Sequence, residues 1–240
     1  MRENNWTKHH IRTIHQVLYL LKSGYFFMPY IEQIFSRIRE VYGDKATEFT
    51  PLINLVRQFK GAKSFFKDAL GFNDIRDFIA TLIFASYFHH AECIVEFVPR
   101  SKEKTPDLFV ANSEFRGFVE VKHIHKKHDG PKTALPNVLN KKKLLVEYSN
   151  PIRDEKYCRD DIIKGFKQIQ QFSGLKDTDV MIDAIWNSDE DLDELDMKFS
   201  ILHLIEEKSE FENMSNPKWI VYGSDLHFLR TRTQFHVFRF

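Results

Sequence analysis

KTPDLFVANSEFRGFVEVKHIHKK, residues 104–127, holds two short apolar runs, each marked by charge. Asp107 opens the first, and Glu120-Val121-Lys122 lies inside the second. The runs 107–111 and 117–124 read as strands, joined by a tight turn centred on Ser113 and Glu114. A hairpin turning there sets Asp107 opposite Glu120, and directly opposed residues share a face of the sheet. Lys122, two residues on, lies on that face too, while Val119 and Val121 point to the other side, into a core. A one-residue slip would part the two carboxylates. Charge on a half-buried strand is costly unless it is paired or used.

Two carboxylates this close repel, and one is driven to a higher pKa unless a cation stands between them. Lys122 compensates in part, and a hard divalent ion does so better. Magnesium is typically held by one or two carboxylates plus waters and phosphate oxygens. Such an ion lowers the pKa of a bound water and stabilises charge on a phosphoryl group. Lys122 could then orient the attacking water or stabilise the growing negative charge. These are the parts needed to hydrolyse a phosphodiester. The plainer alternative is a salt-bridged surface hairpin.

Outward from the hairpin, the chain divides into a helical front and a mixed α/β remainder. Residues 1–71 show helical spacing in IRTIHQVLYLLKS, YIEQIFSRIREVY and PLINLVRQFKGAKSFFKDAL, with Pro51 at a helix start and Gly43 and Gly71 as stops. This predicts a helical N-terminal region or subdomain, with 72–240 as the second unit. NDIRDFIATLIFASYFHH predicts a buried helix capped by Asn73 or Asp74. Strands are expected at 93–98, 107–111, 117–124, 179–186, 218–223 and 235–240. Helices are expected near 135–148, 157–172 and across much of 190–212. The fold class is α/β, a mixed central sheet flanked by helices.

Composition sets the outer bounds. The 240 residues carry 35 basic against 34 acidic side chains, a net charge of +1, so a nucleic-acid partner must be held by a local patch. The 23 phenylalanines predict an aromatic core. Two cysteines, Cys93 and Cys158, make neither a disulfide framework nor a four-ligand zinc site. The longest nearly unbroken apolar run, 78–88, is too short to span a bilayer, and the N-terminus lacks the pattern of a signal peptide. A soluble cytoplasmic protein without membrane contact is expected.

Pro106-Asp107 followed by Glu120-Val121-Lys122 resembles the PD-(D/E)xK nuclease superfamily, the restriction-endonuclease-like fold. The resemblance covers roughly 72–186. It implies a Mg²⁺- or Mn²⁺-dependent nuclease, an endonuclease in preference to an exonuclease, acting on DNA in preference to RNA. Asp107 and Glu120 are then metal ligands, the Val121 carbonyl a further ligand, and Lys122 the catalytic lysine. Many members add an acid on the helix before the first core strand, and Asp77, in preference to Asp74, stands in that place. Gln168-Ile-Gln-Gln-Phe172 looks like the QxxxY motif of some branches, with phenylalanine for tyrosine, which adds Gln168 to the catalytic set. Members serve in restriction, repair, recombination and phage defence, and those making double-strand cuts are often homodimers. The alternative is a non-catalytic nucleic-acid-binding or assembly protein that keeps the fold.

Lys126, Lys127, Lys132, Lys141, Lys142 and Lys143 follow the hairpin. They read either as a solvated loop or as a segment that contacts a phosphate backbone. His123 and His125 share the face opposite Lys122 and lie near that path. DEDLDELD, residues 189–196, reads as a solvated helix start. Arg230, Arg232 and Arg239 could extend the basic surface.

Overall fold

The computed structural model describes residues 30–101, 104–124, 151–187, 201–206, 211, 213–224 and 235–240. Six strands form one mixed sheet in chain order: β1 (Ile94–Phe97), β2 (Leu108–Ala111), β3 (Arg116–Ile124), β4 (Val180–Asn187), β5 (Lys218–Ser224) and β6 (His236–Arg239). The centre is parallel, β3 with β4 and β4 with β5, and the outer pairs are antiparallel. Every residue of β4 is buried, as befits a central strand covered on both faces. These six strands are the six expected from the sequence.

The helices before the sheet are α1 (Ile31–Tyr42), α2 (Thr50–Val56), α3 (Ala62–Asp68) and α4 (Ile75–His90); α5 (Pro151–Gln170) lies between β3 and β4. Apolar residues recur on every side of α4, which makes it an interior helix. Asp74 is its cap: the side chain accepts a hydrogen bond from the Arg76 N–H at 2.9 Å. One buried cluster joins Ile34, Phe49, Ile53, Phe66 and Phe78 to Val119, Ile182 and Trp186 of the sheet, so α1 to α4 cover one face. The other face carries Phe118, Met181, Ile185 and Ile220 against Ile162, Phe166 and Ile169 of α5, with Ile201 and Leu204 of a helical turn at 201–206.

The run 51–70, expected as helix throughout, breaks in the middle. Gly61 takes φ +81°, and a Cβ there would overlap the Phe97 carbonyl. Phe97 N–H donates to the Lys60 carbonyl at 2.9 Å, so this chain reversal is pinned against the edge of β1. Phe65 of α3 then stacks on Phe97 with ring centroids 4.3 Å apart. The segments 11–23 and 135–148, and much of 190–212, lie outside the described residues.

Candidate active site

The β2–β3 register pairs Leu108 with Val119, which sets Asp107 opposite Glu120 as the sequence pattern requires. Asn112 shapes the turn: its Oδ1 accepts from the Glu114 and Phe115 N–H groups at 2.9 and 3.0 Å. Asp107 N–H still donates to the Val119 carbonyl at 2.9 Å. Pro106, which has no N–H to offer, ends the ladder there. β3 continues to Ile124 beyond its pairing with β2, and a cavity of about 260 Å³ opens where the two chains part. Asp107, Glu120 and Gln168 line it.

Phe118 and Ile124 pack beneath α5, so Glu120 and Lys122, of the same parity, occupy the α5 face. Glu120 is only 5% exposed, and both of its oxygens are held. Oε1 meets Lys122 Nζ at 2.5 Å, and Oε2 accepts from Gln168 Nε2 at 2.6 Å. Gln168 also donates to the Thr105 carbonyl at 3.1 Å, tying the last turn of α5 to the loop before Asp107. Asp107 Oδ2 accepts from the Val121 N–H at 2.9 Å. Val121, expected at this site through its carbonyl, meets Asp107 through its amide. Phe172 packs edge-on against Phe118 at 5.0 Å, an apolar contact in the place where the resembled motif has a tyrosine.

The electrostatics are those of crowded acids. Burial raises the pKa of Asp107, opposed by the Val121 amide, Lys122 and Arg100. Burial pushes Glu120 well above the ordinary carboxylate range, and the Asp107 charge adds to the push. For Lys122, burial pulls downward but is outweighed by Glu120, Asp183 and Asp107, so its pKa is raised.

Asp183 is the residue that the sequence reading missed. It pairs with Glu120 across the parallel β3–β4 ladder and is fully buried. Neither carboxylate oxygen has a hydrogen-bond partner among the described residues. Burial pushes its pKa well up, with Asp161 and Asp107 adding and Lys122 opposing. The signal was present as a lone acid inside the apolar run VMIDAIW, with the same parity as Met181 and Ile185.

Asp77 lies apart from this group. Its Oδ1 stands 3.1 Å from His123 Nδ1, on the α4 side of the sheet, with the histidine side chain 1% and the aspartate 43% exposed. Its charge still reaches Asp107. His123 thus faces away from Lys122, as its parity predicts. Arg239 stacks over Trp219 at 4.5 Å. Lys126, Lys127, Lys132, Lys141, Lys142 and Lys143 lie outside the described residues, as do His125, the acidic run 189–196, Arg230 and Arg232.

Could these residues hold a divalent cation? Among the described residues, no group of three or more His, Cys, Asp and Glu side chains is arranged to hold one. The fitting set is the Asp107–Glu120 pair: hard oxygen donors, mutually repelling, beside a cavity that admits water and phosphate oxygens. Among the described residues, no helix is long and apolar enough to cross a membrane. The chain matches no family model, no curated protein and no solved structure.

Proposed function

We propose that this protein is a metal-dependent nuclease of PD-(D/E)xK type, hydrolysing phosphodiester bonds in DNA, with a restriction-endonuclease-like core. The observation that carries the reading is the register of β2 on β3. It places Asp107 and Glu120 on one face at the mouth of a cavity, with Lys122 ion-paired to Glu120. An accidental surface hairpin would leave those charges in water, whereas Glu120 is buried and gripped at both oxygens.

Asp107 and Glu120 would hold Mg²⁺ or Mn²⁺, with the Val121 carbonyl as a further donor. When bound, the ion supplies charge stabilisation at the phosphoryl group and a more acidic water. The chain's own residues do the rest. The Val121 amide fixes Asp107, and Gln168 fixes Glu120 while holding the Thr105 loop. Lys122, ion-paired to Glu120, acts as a cation that orients water and stabilises negative charge developing on the phosphate. Asp77, half-exposed and bonded to His123, biases the charge at Asp107 from the far side of the sheet.

The test is cleavage of supercoiled plasmid and of single-stranded DNA with Mg²⁺, Mn²⁺ or EDTA. Wild type cuts with either metal and not in EDTA. Lys122→Ala and Asp107→Ala each lose about 10²-fold or more of the rate, the scale of a removed charge-stabilising group. A second reading, nucleic-acid binding without catalysis, draws on the full engagement of Glu120 by Lys122 and Gln168. It predicts DNA affinity with no cutting in any metal.

A further inference from the structure

The cavity at Asp107 and Glu120 extends well past the two carboxylates. Its far wall is built by the N-terminal helices, through Ser64, Phe65 and Asp68 of α3. Its rim is the loop after β1, with Arg100 and Lys104. The guanidinium of Arg100 lies over the Phe72 ring at 4.5 Å, which holds the charge at the rim, and it acts on Asp107 electrostatically. Thus the floor is acidic, the rim is cationic, and the far wall offers a carboxylate and a hydroxyl, the Phe65 ring being packed between Phe97 and Phe78.

We propose that this cavity is a subsite for one unpaired nucleotide beside the scissile phosphate, so that the substrate is single-stranded or frayed where it is cut. The proposal deepens the nuclease reading and rests on it. Size argues for one nucleotide: about 260 Å³ falls just under the roughly 300–1,000 Å³ of small-ligand pockets and leaves no room for a base pair. Access argues for an unpaired one, because a base in a duplex stays in its stack unless it is drawn out. Chemistry agrees. Arg100 and Lys104 suit the phosphates that flank the nucleotide, and Asp68 and Ser64 suit the donors on a base edge. The α3 wall also gives the N-terminal helices a role in choosing substrate.

Strand preference is measured by fluorescence anisotropy, with full-length Lys122→Ala protein in Mg²⁺ so that bound strands stay intact. The probes are a labelled single-stranded oligonucleotide and its fully paired duplex. The single strand binds about tenfold more tightly than the duplex, and Arg100→Ala and Asp68→Ala each weaken it about five- to tenfold while duplex affinity holds, an effect of phosphate and base-edge contacts at one nucleotide. Equal or tighter duplex binding, single-strand affinity unchanged in both variants, or no DNA binding at all overturns the subsite. Cutting is read separately with wild type. Pocket-dependent single-strand binding without metal-dependent cutting would remove the nuclease reading and leave a single-strand-binding pocket. Cutting that ignores strandedness and both pocket variants would leave the nuclease and remove the subsite.

Discussion

Asp183 is a fully buried carboxyl beneath α5, and neither of its oxygens has a hydrogen-bond partner among the described residues. Burial drives its pKa well above the ordinary value of 3.8. In the native state it keeps its proton after the unfolded chain has lost one. Its favourable contribution is complete below the unfolded value and is lost as pH rises through the folded value. Asparagine has nearly the same shape and cannot ionise. In EDTA, Asp183→Asn therefore shows a flatter decline of Tm as pH rises above the ordinary carboxylate range. There it exceeds wild type in Tm, at about 2–4 °C for each kcal/mol in a chain of this size. Parallel Tm profiles for the two proteins would mean that Asp183 is not held neutral by burial. Periodicity alone passes over this residue, since it sees only a good strand in VMIDAIW, and the signal lies in the one acid among apolar neighbours. Asp107, Glu120 and Lys122 were legible because a short turn fixes a hairpin register, and parity then fixes the face.

At the scale of elements, α5 meets β4 through Gly165. A Cβ there would stand 2.5 Å from Asp183 Oδ1 and 2.7 Å from its Cγ, so helix and strand are fitted around one carboxyl. Alanine gains about 1 kcal/mol in helix propensity over glycine. The buried contact decides the sign: Gly165→Ala destabilises by about 1–3 kcal/mol net, as overpacking does. Asp183→Ala in the same chain makes room, and Gly165→Ala becomes neutral or stabilising in that background. Urea denaturation of the four proteins of this cycle measures the coupling, and additive changes would deny the contact. Why this glycine matters could not be read along the chain, since its neighbour lies eighteen positions away on another element. The break in 51–70 was hidden for the same reason: Gly61 is a turn only because Phe97 N–H and the Lys60 carbonyl meet there. Local chemistry did narrow the α4 cap to Asn73 or Asp74, and it revealed the turn at Ser113 and Glu114 and all six strands.

For the whole molecule, two cores lie on opposite faces of one sheet, and the candidate site opens where the antiparallel hairpin parts from the parallel centre. Elements from both layers converge on that opening: α3 on one side, α5 on the other, and the Pro106–Asp107 corner between them. The abundance of phenylalanine announced such an aromatic interior, and Phe65, Phe78 and Phe97 stack within it. Under the proposed nuclease reading, the balanced net charge of +1 leaves a phosphate chain to be met by local charge, the cationic rim and a carboxylate pair in need of a cation. That need is the centre of the account, and it is met or not by a divalent ion alone, without any choice of substrate. The measurement is the EPR signal of free Mn²⁺ titrated against the full-length protein and against Asp107→Ala, at neutral pH and low salt. The account predicts saturable Mn²⁺ binding by wild type, at least tenfold weaker in Asp107→Ala, the loss of one of two carboxylate ligands. Equal Mn²⁺ binding by both proteins, or none by wild type, would contradict it.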